Sequence, residues 1–249
     1  MVGVIVQIAL IVLAAIIVTV IMLLKEKEKK QQAVEFRRIY GFPDDAAVYQ
    51  SAGVNSLSPM NPTKHEQFLA KYIVNQGFFN RYYVFLDYYF RDREDKIRQI
   101  DLIAVGSHGI CVFESKDYNG WIFGNGNHFK WTQTLGGEKY HFYNPVKQNN
   151  THIRSLKECL GLNTKFHSIV VFGSRATLKV INNIPHNTYV VSGNNLGNAL
   201  NSIANTQDEF LRENEVIEIC KKINSKRLLY DESLKSEHIE SVHGLTGGR

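Results

Sequence analysis

Cysteine is scarce in this 249-residue sequence, and the three cysteines, Cys111, Cys159 and Cys220, lie far apart. A disulfide framework or a cysteine-rich zinc site needs closely spaced cysteines such as a CxxC pair, so both are excluded. The spacing fits a reducing compartment, in which we expect the three thiols to act as packing residues.

Several motifs of nucleotide-binding proteins and hydrolases are also absent. No GxxxxGK[ST] loop occurs, and Gly124-Asn-Gly126 lacks the third glycine of a dinucleotide-binding loop. His65-Glu66 begins a zinc-protease string, but Leu69 stands where the second histidine is needed. The segment 106–109 lacks the GxSxG spacing and is typical of a turn.

Charge is missing from the first part of the chain, because Val2 to Leu24 contains no charged residue. Twenty-three residues form about 35 Å of helix, and a bilayer core is about 30 Å thick. A cleaved secretory signal is the alternative, but the run has no basic start and no cleavage site at its end. The sequence therefore predicts a permanent transmembrane helix.

The charge that follows predicts the orientation of this helix. Residues 25–38 hold six basic and three acidic side chains, and basic flanks stay in the cytoplasm. The whole chain has a net charge of +5, so the remaining 211 residues hold only +2. We expect a single-pass membrane protein with residues 25–249 facing the cytoplasm, and bulk charge gives no argument for nucleic acid.

The hydrophobic patterns predict an α/β domain after a linker. Helical spacing and capping signals mark helices at about 62–75, 144–161, 196–204 and 207–222, and apolar runs mark strands at about 82–90, 99–105, 110–116, 168–172 and 188–191. Residues 117–143 are typical of short strands and loops. The predicted organisation is an anchor at 1–24, a linker at 25–57, a domain at 58–180, its α/β extension at 181–230 and a flexible tail at 231–249.

Two of these strands form a predicted hairpin across the turn 106–109. If Val105 faces Ile110, Asp101 lies directly opposite Glu114, and Lys116 shares the face of Glu114 because strand side chains alternate. Opposed carboxylates on a buried face are destabilising unless a cation lies between them.

Two interpretations of this charged face remain open. Oxygen ligands with two carboxylates suit Mg²⁺ or Mn²⁺, with Lys116 polarising the attacking water or stabilising charge on a phosphoryl oxygen. Alternatively, Lys116 neutralises Glu114 in a buried ion pair and Asp101 is bonded to a backbone amide. Charges on a central hairpin rarely add stability, which favours a functional site.

An ordered set of motifs over about residues 62–175 resembles the nuclease-related domain (NERD), a family that is itself similar to the PD-(D/E)XK nucleases. The motifs are Gln99-Ile-Asp-Leu-Ile103, Glu114-Ser-Lys116, Tyr118-Asn-Gly120, Gly124, Trp131 and Asn144-Pro-Val-Lys-Gln148. The resemblance implies a restriction-endonuclease-like fold, in which a mixed central β-sheet is flanked by helices.

The resemblance also implies roles for individual residues. Asp101 and Glu114 coordinate Mg²⁺, Lys116 assists the water, and Gln148 reaches the site from the next helix. It suggests a metal-binding role for Glu66 as well, although Thr63-Lys-His-Glu66 is equally a helix capping box. A polar residue in a first helical turn, such as Gln148, is otherwise typical of a solvated position.

The sequence thus predicts a membrane-anchored, Mg²⁺-dependent nuclease that acts on DNA or RNA. A noncatalytic module of the same fold that binds nucleic acid or a protein, and a membrane-tethered scaffold, are the alternatives. Four aromatic residues near the hairpin either stack on unpaired bases or pack around it: Tyr118, Trp121, Phe123 and Trp131.

Overall fold

A computed structural model of the chain describes residues 19–24, 62–75, 83–206 and 210–228. Residues 19–24 belong to one compact unit, Met1–Ala46, and the other described residues belong to a second, Ala47–Arg249. The predicted linker 25–57 and tail 231–249 lie outside the described residues.

The prediction of a transmembrane helix, and with it of single-pass membrane localisation, is contradicted. Nowhere in the described ranges is a helix long and apolar enough to cross a membrane. Of the predicted anchor, residues 19–24 are described, and they are helical. Residues 1–18 lie outside the described residues.

The second unit is a mixed α/β fold built on two β-sheets. Its helices are α1 (Lys64–Asn75), α2 (Pro145–Leu160), α3 (Leu196–Ala204) and α4 (Glu213–Ser225), with a short 3-10 helix at Gly193–Asn195. Its strands are β1 (Tyr83–Arg91), β2 (Ile97–Gly106), β3 (Gly109–Lys116), β4 (Gly120–Asn125), β5 (Lys130–Leu135), β6 (Glu138–Tyr143), β7 (Phe166–Phe172), β8 (Ala176–Asn182) and β9 (Thr188–Ser192).

The first sheet has the strand order β1-β2-β3-β7-β9. Strands β1, β2 and β3 pair antiparallel, and β3, β7 and β9 pair parallel. The parallel pairing requires a crossover between β3 and β7, and the chain supplies it with strands β4, β5 and β6 and helix α2. The face of β2 and β3 that carries Ile103 and Val112 packs with Leu156 of α2 and Val216 of α4 in one apolar cluster.

The second sheet has the order β6-β5-β4-β8 and was not predicted as a separate sheet. Its inner face packs Ile122 and Trp131 against Val146 of α2 and Phe172 of β7. A Cβ atom on Gly124 would lie 2.5 Å from the indole of Trp131. Glycine is therefore required at this position, because the indole lies directly against the backbone of β4.

Strand β1 is an edge of the first sheet, and the residues around the end of α4 close it. The Leu228 amide donates to the Tyr89 carbonyl over 2.8 Å, and Arg227 donates to the Leu86 carbonyl over 3.1 Å. The Tyr88 hydroxyl donates to the Ile223 carbonyl over 2.6 Å. This set of contacts between β1 and residues 223–228, called the C-terminal clasp below, covers an edge that would otherwise expose unpaired backbone groups.

Candidate active site

The predicted hairpin register is confirmed over the paired part of β2 and β3, but the predicted pair of Asp101 with Glu114 is not part of the ladder. Val105 pairs with Ile110, and the ladder runs from Gly106–Gly109 to Leu102–Phe113. One residue beyond this last pair, the Asp101 carboxylate accepts a hydrogen bond from the Ser115 amide over 2.7 Å. A side-chain oxygen thus takes the place of a backbone carbonyl where the ladder stops, which brings Asp101 to the end of β3.

Glu114 and Lys116 form a close ion pair on the same face of β3. The Lys116 Nζ lies 2.6 Å from Glu114 Oε1, with side-chain exposures of 18% and 2%. The second oxygen, Oε2, lies 3.5 Å from His152 Nε2 and makes no hydrogen bond among the described residues. The buried carboxylate therefore keeps one oxygen with unused hydrogen-bonding capacity.

Gln148 joins this pair from the first turn of α2. Lys116 Nζ donates to its Oε1 over 3.1 Å. The helix start is set by Asn144, whose side chain accepts from the Val146 amide over 2.9 Å, with Pro145 at the first position. One residue further on, buried Asn149 donates to the Val112 carbonyl over 2.8 Å and fastens α2 to β3.

Glu66 forms the capping box that the sequence indicated, and its metal-binding role stays a prediction. Its Oε2 accepts from the Thr63 amide over 3.1 Å while the Thr63 hydroxyl accepts from the Glu66 amide over 3.2 Å, which is a complete capping box. The side chain is also buried, and its pKa is raised by that burial and by the negative charges of Asp87 and Glu114. The cap holds Glu66 within electrostatic reach of the other acids.

The charges of the site act on one another strongly. Burial, followed by the charges of Glu114 and Glu66, raises the pKa of Asp101 well above its usual range. Burial opposes both charged forms of the Glu114–Lys116 pair, but their mutual attraction outweighs it, so the pKa of Glu114 is lowered and that of Lys116 is raised. Asp101 is thus the carboxylate that a further cation would stabilise most.

A fourth acid, Asp87, was missed by the sequence analysis. The pairs Leu86–Leu102 and Tyr88–Ile100 flank it, which places it opposite Asp101 across β1 and β2. It is buried, its φ is +44°, and the Gln99 amide donates to Asp87 over 3.1 Å and to Asp101 over 3.3 Å. The sequence signal that could have identified Asp87 was its place as the single acid within the aromatic strand predicted at 82–90.

Two histidines of the site were also missed. His152 follows Gln148 by four residues, so it lies on the same face of α2, one turn further along. His65 Nδ1 lies 2.5 Å from the Ser115 hydroxyl, and the backbone amide of Ser115 is the donor to Asp101. The spacing of His152 was visible in the sequence, whereas the contact of His65 depends on how α1 packs.

The aromatic residues near the hairpin divide into two groups. Trp131 is buried and stacks on Phe172 at 6.2 Å and 10°, and Tyr118 packs edge-on against Phe142 at 4.7 Å. Trp121 is 51% exposed on the second sheet. Packing therefore explains Trp131 and Tyr118, and it leaves Trp121 without such a role.

The residues of the site fit a magnesium ion that is held by few protein ligands. Among the described residues, no group of three His, Cys, Asp or Glu side chains has the arrangement of a metal site. Mg²⁺, however, keeps several waters and is commonly bound by one or two carboxylates together with substrate phosphates. Such an ion would give the free oxygen of Glu114 a partner, and it would lower the strongly raised pKa of Asp101.

Comparison with known proteins agrees with this geometry. Residues 62–173 match the family described as the nuclease-related domain, which confirms the resemblance that the motifs predicted. An uncharacterised protein of Bacillus anthracis is 29% identical over 145 residues, a match that covers 58% of this chain and 66% of that relative. No solved structure matches the chain.

Proposed function

We propose that this nuclease-related protein hydrolyses phosphodiester bonds of nucleic acid in a Mg²⁺-dependent or Mn²⁺-dependent reaction. The observation that carries the proposal is the arrangement of Asp101, Glu114, Lys116 and Gln148 at the junction of β3 and α2. A buried, mutually repelling set of carboxylates beside an ammonium group adds little to stability, and such sets are typical of functional sites.

Asp101 and Glu114 are the residues that would hold the metal, with Glu66 as an additional acid on α1. The bound ion would supply charge neutralisation at the phosphate and a more acidic water. This assignment is supported by the oxygen-only donor set, which suits a hard divalent cation.

Lys116 acts as a positively charged group rather than as a base. Its raised pKa keeps Nζ protonated at neutral pH, and two of its three N–H donors point to Glu114 and Gln148. The third donor serves to orient a water or to stabilise charge on a phosphoryl oxygen. Gln148 fixes the direction of Nζ, because an amide oxygen accepts the hydrogen bond without adding charge.

The test uses the purified full-length chain with single-stranded DNA, duplex DNA and RNA, in Mg²⁺, Mn²⁺ or EDTA. We expect hydrolysis that requires the metal and falls by at least about 100-fold in Asp101→Asn and in Lys116→Ala, a loss of roughly 2.7 kcal/mol of transition-state stabilisation. Asp95→Asn is the matched control, since Asp95 is exposed and pairs with Arg91 at the turn between β1 and β2. No cutting of any substrate, or cutting unchanged in both site variants, would contradict the proposal.

A noncatalytic nucleic-acid-binding module is the second candidate. It is favoured by the 2.6 Å contact in which Lys116 already neutralises Glu114 without a metal. Binding of nucleic acid that survives EDTA and both site substitutions, with no hydrolysis of any substrate, would support this candidate over the enzyme.

A further inference from the structure

The outer face of the second sheet combines exposed aromatic and basic side chains. The pairs Trp121–Thr134 and Thr134–Lys139, together with Lys130–Tyr143, place these side chains on one face, opposite to the buried Trp131. Trp121 is 51% exposed and Tyr143 is 45% exposed. This set is called the aromatic face below and consists of Trp121, Phe123, Lys130, Thr132, Thr134, Lys139, His141, Tyr143 and Lys179.

The charge on this face has one sign. The four strands of the second sheet contain the three lysines of the aromatic face and a single acid, Glu138. Glu138 pairs with Leu135, which is one residue beyond the outward-facing Thr134, so its side chain belongs to the opposite face. The aromatic face is therefore positive, although the chain without residues 25–38 has a net charge of only +2.

The lysines and aromatic rings lie close enough to act together. Lys179 Nζ lies 4.5 Å from the ring centroid of Trp121, and at the sheet edge Lys147 Nζ lies 5.1 Å from that of Phe129. Each pair places a positive charge beside an aromatic surface. Unpaired bases stack on aromatic rings while their phosphates bind such cations, whereas a duplex hides its base faces.

The aromatic face is joined to the site at both ends of the second sheet. Lys116 and Trp121 are five residues apart, as are Tyr143 and Gln148, so each pair of Cα atoms is separated by at most about 19 Å. Lys116 and Gln148 are themselves hydrogen-bonded. A strand of a few nucleotides is long enough to contact both the aromatic face and the site.

From this placement we propose that the aromatic face binds single-stranded nucleic acid, with Trp121 stacking on a base and Lys179 contacting a phosphate. The proposal rests on the proposed function, in that it names an unpaired strand as the substrate. It does not require catalysis, so binding can be measured with the metal removed.

The experiment measures fluorescence anisotropy of a labelled 20-nucleotide DNA, the RNA of the same sequence and the corresponding DNA duplex, with full-length protein in EDTA. We expect single strands to bind more tightly than the duplex, and Trp121→Ala to weaken single-strand binding about tenfold. Lys179→Ala reduces the dependence of log affinity on log salt by about 0.7. Tyr140→Ala is the matched control, since Tyr140 lies on β6 with 53% exposure but on the opposite face.

A spectroscopic signal separates stacking from a general loss of binding. The chain has two tryptophans, and Trp131 is buried, so the strand quenches Trp121 fluorescence alone. The quench disappears in Trp121→Phe, which keeps a ring for stacking and therefore most of the affinity. Stacking on the aromatic face would account for both results.

Other outcomes decide against the proposal and remain distinct from a failure of the enzyme. Equal binding of duplex and single strand, or equal effects of Trp121→Ala and Tyr140→Ala, would overturn it, even if the protein cuts nucleic acid. No binding of any strand would also overturn it. Single-strand binding without hydrolysis would support this inference while contradicting the proposed nuclease.

Discussion

The candidate site on the first sheet and the aromatic face of the second sheet both carry charge, but they hold it in opposite ways. Glu114 and Lys116 are buried and touch each other, and the strongly shifted pKa of Asp101 ties it to the same set. The lysines of the aromatic face are exposed beside aromatic rings. The difference indicates that the charges of the site affect the free energy of unfolding. The charges of the aromatic face can bind a ligand without affecting it.

The largest effect expected from this contrast is the difference in unfolding free energy between variants of the two tryptophans. Trp131→Ala removes a fully buried side chain stacked on Phe172 and is expected to lower the free energy of unfolding by about 4 kcal/mol. Trp121→Ala, on the exposed face of the same sheet, changes it by less than about 0.5 kcal/mol. Urea unfolding of the full-length variants measures both, and similar losses would show that the aromatic face is part of the core.

The next effect concerns the buried ion pair. Glu114→Ala leaves the ammonium group of Lys116 without its closest partner, and we expect a loss of about 3 kcal/mol in unfolding free energy. Glu218→Ala is the control, because its pair with Lys221 is exposed on α4 and contributes less than about 0.5 kcal/mol. If the two variants lose equal stability, the site is not coupled to folding.

A smaller effect of opposite sign is expected at Asp101. Asp101→Asn removes a carboxylate whose charged form is disfavoured by burial and by two other acids, so the metal-free protein gains about 1 kcal/mol. If the site binds Mg²⁺ as proposed, we expect the ion to raise the melting temperature of the unchanged protein and Asp101→Asn to abolish that rise. Thermal unfolding with Mg²⁺ or EDTA measures both, with Asp95→Asn as the control. A lower melting temperature of Asp101→Asn in EDTA would contradict the assignment.

The smallest expected effect is the pH dependence of the stability that the metal-free protein gains from Asp101→Asn. The pKa of Asp101 is higher in the folded chain than its ordinary 3.8, so its unfavourable contribution is present at neutral pH and disappears as the pH falls through the raised value. The stability advantage of Asp101→Asn should therefore shrink from pH 7 towards pH 4. An advantage that grows on acidification would show that the charged form is favoured in the fold.

The sequence predicted those parts of the site that depend on local pattern. The register of β2 and β3 follows from alternation across a short turn, and the position of Gln148 follows from the Asn144 cap and Pro145. Both are decided by residues that are near one another in the chain. The same holds for the capping box of Glu66.

What the sequence did not predict depends on contacts between distant segments. The second sheet needs β8 to pair with β4, more than 50 residues earlier, and 176–182 carried no predicted strand. Asp87 joins the site only through the pairing of β1 with β2. Helix α4 begins at Glu213 rather than at 207, because hydrophobic spacing locates a helix better than its ends. The 23 uncharged residues predicted an anchor from composition alone, and that prediction is contradicted.

The C-terminal clasp has a consequence for the order in which the site is completed during synthesis. Asp87 is flanked on β1 by Leu86, Tyr88 and Tyr89, which form the hydrogen bonds to residues 223–228. Two of these bonds join residues that are 135 and 141 positions apart in the sequence. A chain that leaves the ribosome from its N-terminus can form the β2–β3 hairpin early, but β1 acquires these partners only after residue 228 has emerged. We therefore expect nascent chains released at residue 180 to lack protection of the β1 amides from hydrogen exchange, even though they contain all of the family-matched residues.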